Sequence, residues 1–131
     1  MYEEQFHLDE HDIGGAPTLR TIPTRSVAGV RTHDMAPFAE AADDVDDSYR
    51  SLIGAQADEP LLDAVLTRLA SSDAHMVVAD LDDLLDEHRP HNLPGRVVPG
   101  IWQRRLDRPL SETMADERVE RRLRLLERTS R

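Results

Sequence analysis

The sequence predicts an α/β chain: short strands alternating with helices, then a long connection and a terminal helix. Three observations predict it. Residues 26–31 (Ser-Val-Ala-Gly-Val-Arg) and 74–79 (Ala-His-Met-Val-Val-Ala) are short apolar runs, partly β-branched. Between them Leu61, Leu62, Val65, Leu66 and Leu69 recur at helical spacing. Pro90, Pro94, Pro99 and Pro109, with Gly95 and Gly100, punctuate residues 88–109 and keep them out of regular structure. Two parallel strands cannot cover their own faces and edges, so the pattern also predicts partner strands outside these residues.

Each element follows in order. Residues 1–25 carry Gly14-Gly15-Ala16-Pro17 and Ile22-Pro23-Thr24 and read as mostly irregular. The run 26–31 is a buried strand with Thr32-His33-Asp34 at its C-terminal end. Residues 36–53 read as one helix, with Pro37 in its first turn and a middle weakened by Asp43, Asp44, Asp46 and Asp47. Asp58 is the expected N-cap of the next helix, with Glu59 and Pro60 in its first turn. After the strand at 74–79, Asp80 caps a short helix carrying Leu81, Leu84 and Leu85; Asp80–Asp83 are expected to be a solvated face. Residues 88–109 are a long loop, ordered or floppy. Ser111 is the expected cap of a last, charged helix with a stripe of Ala115, Val119, Leu123 and Leu126.

Composition narrows the function classes. The chain has 131 residues and a net charge of −10, which repels a phosphate backbone and argues against nucleic acid. Apolar residues make up 39% and aromatic residues 4%, thin for a self-sufficient core and suited to a piece of a larger one. Without cysteine there is no disulfide or thiolate metal site. No run reaches membrane-spanning length, and Met1–Phe6 has neither a basic nor an apolar region, so the expected compartment is the cytoplasm. All sixteen basic residues are Arg, which reads as GC-rich coding bias or a salt-adapted cytoplasm.

Two motifs carry chemistry. A His33-Asp34 pair closing a hydrophobic strand is what a catalytic position at a strand's C-terminal end looks like. The plainer alternative is that Asp34 caps the following helix. Asn92-Leu93-Pro94-Gly95 reads as a tight turn, Pro fixing φ and Gly permitting a positive one. It is followed by Trp102-Gln103-Arg104-Arg105-Leu106. A lone Trp is most simply a packing residue, or it lines a ligand channel.

Together and in this order the two motifs resemble the C-terminal end of the 4-alpha-glucanotransferases of glycoside hydrolase family 77, the amylomaltases. The resemblance implies a C-terminal fragment of a (β/α)8 barrel over residues 1–107, with a charged C-terminal helix over 108–131. It implies that Asp34 is the third of three active-site carboxylates, stabilising the transition state, with His33 beside it on the donor sugar. Asn92, Pro94, Gly95 and Trp102 would then contact or shape the substrate site. The family transfers α-1,4-glucan segments between maltooligosaccharides without metal or organic cofactor. Its nucleophile Asp and acid/base Glu lie on earlier strands, and residues 1–25 offer no aspartate in the expected Arg-x-Asp setting. The chain by itself is therefore expected to be inactive, with a separate N-terminal barrel chain as a candidate partner. Arg96 stands where the family has Thr, and Ile101 where Asn precedes Trp.

Two further readings stay in view. His7 and His11, four apart with carboxylates between, have metal-ligand spacing on a helix, but Gly14-Gly15 ends any helix at once and a solvated acidic segment is the simpler reading. A small acidic interaction protein is the second functional class, its docking face being Val119, Leu123 and Leu126 on a helix supported by Glu117/Arg121 and Glu120/Arg124 pairs.

Overall fold

The computed structural model describes residues 1–4, 8–9, 18–45 and 47–127. In chain order the elements are β1 (Tyr2–Glu3), β2 (Leu8–Asp9), β3 (Thr18–Leu19), β4 (Val27–Gly29), α1 (Phe38–Ala42), α2 (Asp47–Leu52), α3 (Leu61–Ser71), β5 (Met76–Val78), α4 (Leu81–Leu84), α5 (Leu110–Met114) and α6 (Glu117–Leu125). β1, β4 and β5 form a parallel sheet in that order, with Tyr2 opposite Ala28 and Ala28 opposite Val77. β2 and β3 form a separate antiparallel ladder.

The sequence predicts two parallel strands and an irregular 1–25; the parallel sheet has a third strand, and it lies in that segment. Two residues are too few to display a period. What holds β1 is the burial of its neighbour Glu4, which is fully enclosed and must be paired. Tyr2 Oη donates to it at 2.6 Å, Tyr49 Oη at 3.0 Å and Arg68 Nε at 2.9 Å. Burial, reinforced by the Glu4 charge, pushes the Tyr2 phenol up to about 12 and the Tyr49 phenol higher still.

The sheet's two faces differ. Tyr2, Ala28 and Val30 share the core with Leu62, Val65, Leu66 and Leu69 of α3, so the predicted helical stripe is the stripe that is buried. On the opposite face Val27, Met76 and Val78 are exposed. Gly29 sits on that face at a close approach: a Cβ there would lie 3.1 Å from the Val78 carbonyl oxygen.

The helix expected over 36–53 is two, α1 and α2, broken after Asp43–Val45, where clustered like charges compete with the backbone. α3 starts one residue after Pro60, which stands at the N-cap with φ −56°; Asp58 is exposed and not the cap. Asp80 does cap α4, accepting from Asp82 N at 2.9 Å. The terminal segment is also two helices. Pro109 precedes α5, and Asp116, rather than Ser111, caps α6 through Arg118 N at 3.0 Å. α6 packs on α3 and α4. Val119 is fully buried, and Arg122 inserts with it to reach Asp63 at 3.0 Å, while Leu123 points outward. Arg121 also turns to Asp63, at 2.8 Å; Arg124 keeps its expected Glu120 partner. Among the described residues no helix is long and apolar enough to cross a membrane.

Candidate functional site

The chain leaves β4 through Val30 and Arg31, both buried, and turns at Thr32–Met35, closed by Met35 N donating to Thr32 O at 3.1 Å. Arg31 points inward. Its Nε donates to Asp83 Oδ1 at 2.7 Å, and its Nη2 lies 3.5 Å from Asp80. The same Asp83 oxygen accepts from Phe38 N at 3.0 Å, so the first N–H of α1 is satisfied by a carboxylate from α4. That N–H is held by Asp83 and not by Asp34. Burial pushes the Asp83 carboxyl up, against the pull of Arg31, and among the described residues its Oδ2 has no hydrogen-bond partner.

His33 and Asp34 occupy the exposed tip of the turn. Asn92 Nδ2 donates to Asp34 Oδ1 at 2.6 Å, and His33 Nε2 lies 3.4 Å from the same oxygen. The Trp102 ring is tilted against His33, with centroids 5.7 Å apart, and stacked on His91 at 6.4 Å with 12° between planes. Four of the sequence-predicted residues, His33, Asp34, Asn92 and Trp102, thus meet in one cluster. Pro94 and Gly95 shape the turn beside it: Gly95 has φ +73°, and Arg96 N closes the turn on Leu93 O at 3.0 Å.

The loop over 88–109 is tied down rather than floppy. Arg89 bonds Glu87 at 2.7 Å and Asp107 at 2.8 Å, and Arg104 reaches Glu87 at 3.2 Å. The Arg89 guanidinium, with Arg104, holds the Glu87 carboxyl down at about 2. Asp82, expected on a solvated face, is buried, as is Asp83; cations explain both. Asp82 pairs with Arg104 and lies 2.9 Å from His91 Nε2, while Asp83 takes Arg31. Sequence reasoning missed Asp82, Asp83, His91 and Arg104 as members of this region. The available signal was the placing of Arg31 and Arg104, residues that rarely sit beside a core unpaired.

An exposed carboxylate oriented by an amide, flanked by an imidazole and an indole face, suits a polyhydroxylated ligand: polar groups for hydroxyls, an apolar plate for the C–H face of a ring. The cluster is open, one wall of a site. A cleft of about 630 Å³ lies elsewhere, lined by residues such as Arg20, Ile22, Ile53 and Arg68. Among the described residues no group of three or more His, Asp or Glu is placed to hold a metal. His7 and His11 lie outside the described residues.

The model of glycoside hydrolase family 77, 4-alpha-glucanotransferase, matches residues 4–111. The chain belongs to this family. Against solved structures, it is similar to the amylomaltase from Streptococcus agalactiae in complex with acarbose, with a TM-score of 0.63 and 21% identity. That likeness covers 76% of this chain and 20% of the amylomaltase, so the chain spans about a fifth of the enzyme's length. At this identity the likeness is one of fold: a mixed helix-and-strand piece with a small parallel sheet, matching a fragment of an amylomaltase. Comparison with curated protein sequences gives no match.

Proposed function

We propose that this chain forms one wall of a cytoplasmic 4-alpha-glucanotransferase site, as the C-terminal part of a (β/α)8 barrel, with residues 1–107 the barrel part and 108–131 a charged terminal segment that carries α5 and α6. The observation that carries the reading is the meeting of Asn92, His33 and Trp102 around Asp34, just past the C-terminal end of β4. That is where barrel enzymes keep their catalytic groups.

In such a site a nucleophilic carboxylate attacks the anomeric carbon while a carboxylic acid protonates the departing glycosidic oxygen. The acceptor's hydroxyl then displaces the enzyme, giving its proton to the same acid/base residue. Asp34 takes neither part. It accepts hydrogen bonds from sugar hydroxyls that tighten as oxocarbenium character develops, so it stabilises the transition state more than the ground state. Asn92 fixes the carboxylate's orientation and His33 lies beside the donor sugar. The nucleophile and the acid come from strands outside these residues, and the chain alone turns nothing over. The substrate is an α-1,4-glucan, the class to which the family points. The alternative of an acidic docking protein rested on a stripe of Val119, Leu123 and Leu126; Val119 is buried against the chain's own core, while Leu123 faces outward.

Maltotriose disproportionation tests the reading, run with the purified chain alone and with a polypeptide carrying the N-terminal strands of a family barrel. No turnover alone and turnover in the mixture are expected. A mixture that forms a complex yet stays inactive would reject it, as would activity indifferent to Asp34→Asn.

A further inference from the structure

Trp102 has φ +59°, the left-handed region that a bulky side chain rarely adopts. Among the described residues the other non-glycine with positive φ is Asp86, just past α4, where a short polar residue commonly takes that conformation. Trp102 has no such excuse, and burial does not reward it, since the residue is 60% exposed. Strained backbone of this kind persists where its surroundings over-determine it, and it gathers at ligand clamps.

The surroundings here are His91 and what holds His91. Trp102 N donates to His91 O at 3.0 Å while the indole stacks on the His91 ring, so one residue grips both backbone and side chain. The far edge of the His91 ring is pinned in turn. Its Nε2 lies 2.9 Å from Asp82 Oδ2 and 2.8 Å from Arg104 Nη2. Either tautomer finds a partner there, donating to the carboxylate or accepting from the guanidinium. Asp82 is itself 3% exposed and bonded to Arg104, so the anchor is rigid.

We propose that Asp82, His91 and Arg104 form a strap that holds the Trp102 indole as a flat floor for an α-glucan ring beside Asp34, which makes His91 a positioning residue acting through Trp102. The inference rests on the glucan-site reading and adds to it residues that no part of that reading requires.

Trp102 is the sole tryptophan, so fluorescence reads this floor alone. Two readouts separate the strap from the ligand. Acrylamide quenching without sugar tests the strap: His91→Ala is expected to raise the quenching constant about twofold, with the thermal midpoint and far-UV dichroism unchanged. His91→Gln, which keeps a group that can bond Asp82 and Arg104, is expected to restore part of the protection. Titration with maltoheptaose tests the floor: a saturable change in wild type, at least fivefold weaker in His91→Ala. Unchanged quenching in His91→Ala overturns the strap, whatever the sugar does. Altered quenching with no maltoheptaose response in wild type, alone or in the active mixture, supports the strap and overturns the glucan floor. Should His91→Ala lose its fold, His91→Phe, which keeps a flat ring but no bond to Asp82, replaces it; wild-type quenching and affinity in that variant would likewise overturn the strap.

Discussion

The side-chain amide of Asn92 donates to Asp34 Oδ1 at 2.6 Å across fifty-eight residues of sequence. A charge-assisted bond of this length holds a carboxylate in one rotamer, which an exposed aspartate would otherwise lack. The bond therefore bears on geometry more than on charge, and the two residues should separate in an assay of the complemented enzyme. Asp34→Asn should remove a transition-state contact and lower kcat by about 10²–10³, the scale of losing one electrostatic stabiliser. Asn92→Ala should leave the carboxylate charged but loosely aimed and cost roughly tenfold, an intermediate effect. Equal losses in the two variants would mean that Asn92 touches the substrate itself.

The contact of Arg122 with Asp63 fastens the terminal helix to the rest. Arg122 is 3% exposed and Asp63 6%. The guanidinium also reaches Leu84 O at 2.9 Å and Asp86 at 2.8 Å. Removing one partner of a buried pair strands the other charge, which typically costs about 3–5 kcal/mol. Arg122→Met, which keeps the apolar stem, should therefore lower the urea midpoint sharply. The double variant Arg122→Met/Asp63→Leu should recover much of the loss, because no buried charge is then left alone. Additive losses in the double variant would show that the stem, rather than the pair, does the holding.

What the sequence made legible was what repeats or caps. The α3 stripe shows a period over eleven residues, and Asp80 is a cap followed by leucines, so both read correctly. β1 did not, because two residues have no pattern and the strand exists through Glu4, whose partners come from α2, α3 and β1 itself. Asp82 and Asp83 read as solvated because a run of acids usually is; their cations lie twenty-two and fifty-two residues away. At the site, Asp34, His33, Asn92 and Trp102 were legible as motif residues. The strap was not, since His91 carries no motif of its own and matters through a stack and a bond that only the fold brings about.

Acid and alkali should each erode stability through named groups, Glu87 among them at the acid end and Tyr2, with Tyr49, at the alkaline end. The Glu87 carboxyl is held at about 2 against an ordinary 4.5, so its contribution is present above pH 4.5 and lost as the pH falls from there toward 2. The Tyr2 phenol is raised from 10.0 to about 12, so its contribution is intact below pH 10 and lost as the pH climbs toward 12. Thermal midpoints across pH should thus form a plateau with two falling limbs. Glu87→Gln should make the acid limb shallower, and Tyr2→Phe should remove part of the alkaline one and leave the part that Tyr49 carries, each from a lower plateau. An unaltered acid limb in Glu87→Gln would assign the loss to other carboxylates, Asp116 first, since Arg118 and Arg108 hold it low too.

The uncovered face of the sheet gives the last prediction. Parallel sheets are ordinarily covered on both sides, yet Val27 is 38%, Met76 51% and Val78 45% exposed here, on the face away from α3. In the chain by itself a charge at Val78 meets water and should change stability by no more than about 0.5 kcal/mol, as surface substitutions do. In the complemented enzyme the same charge would be enclosed by neighbouring strands without a partner, which is costly. Val78→Lys should therefore leave the melting of the lone chain alone, reduce its binding of an apolar dye, and abolish both complex formation and turnover in the mixture. Full activity of Val78→Lys in the mixture would mean that this face stays in water and that the missing strands attach elsewhere.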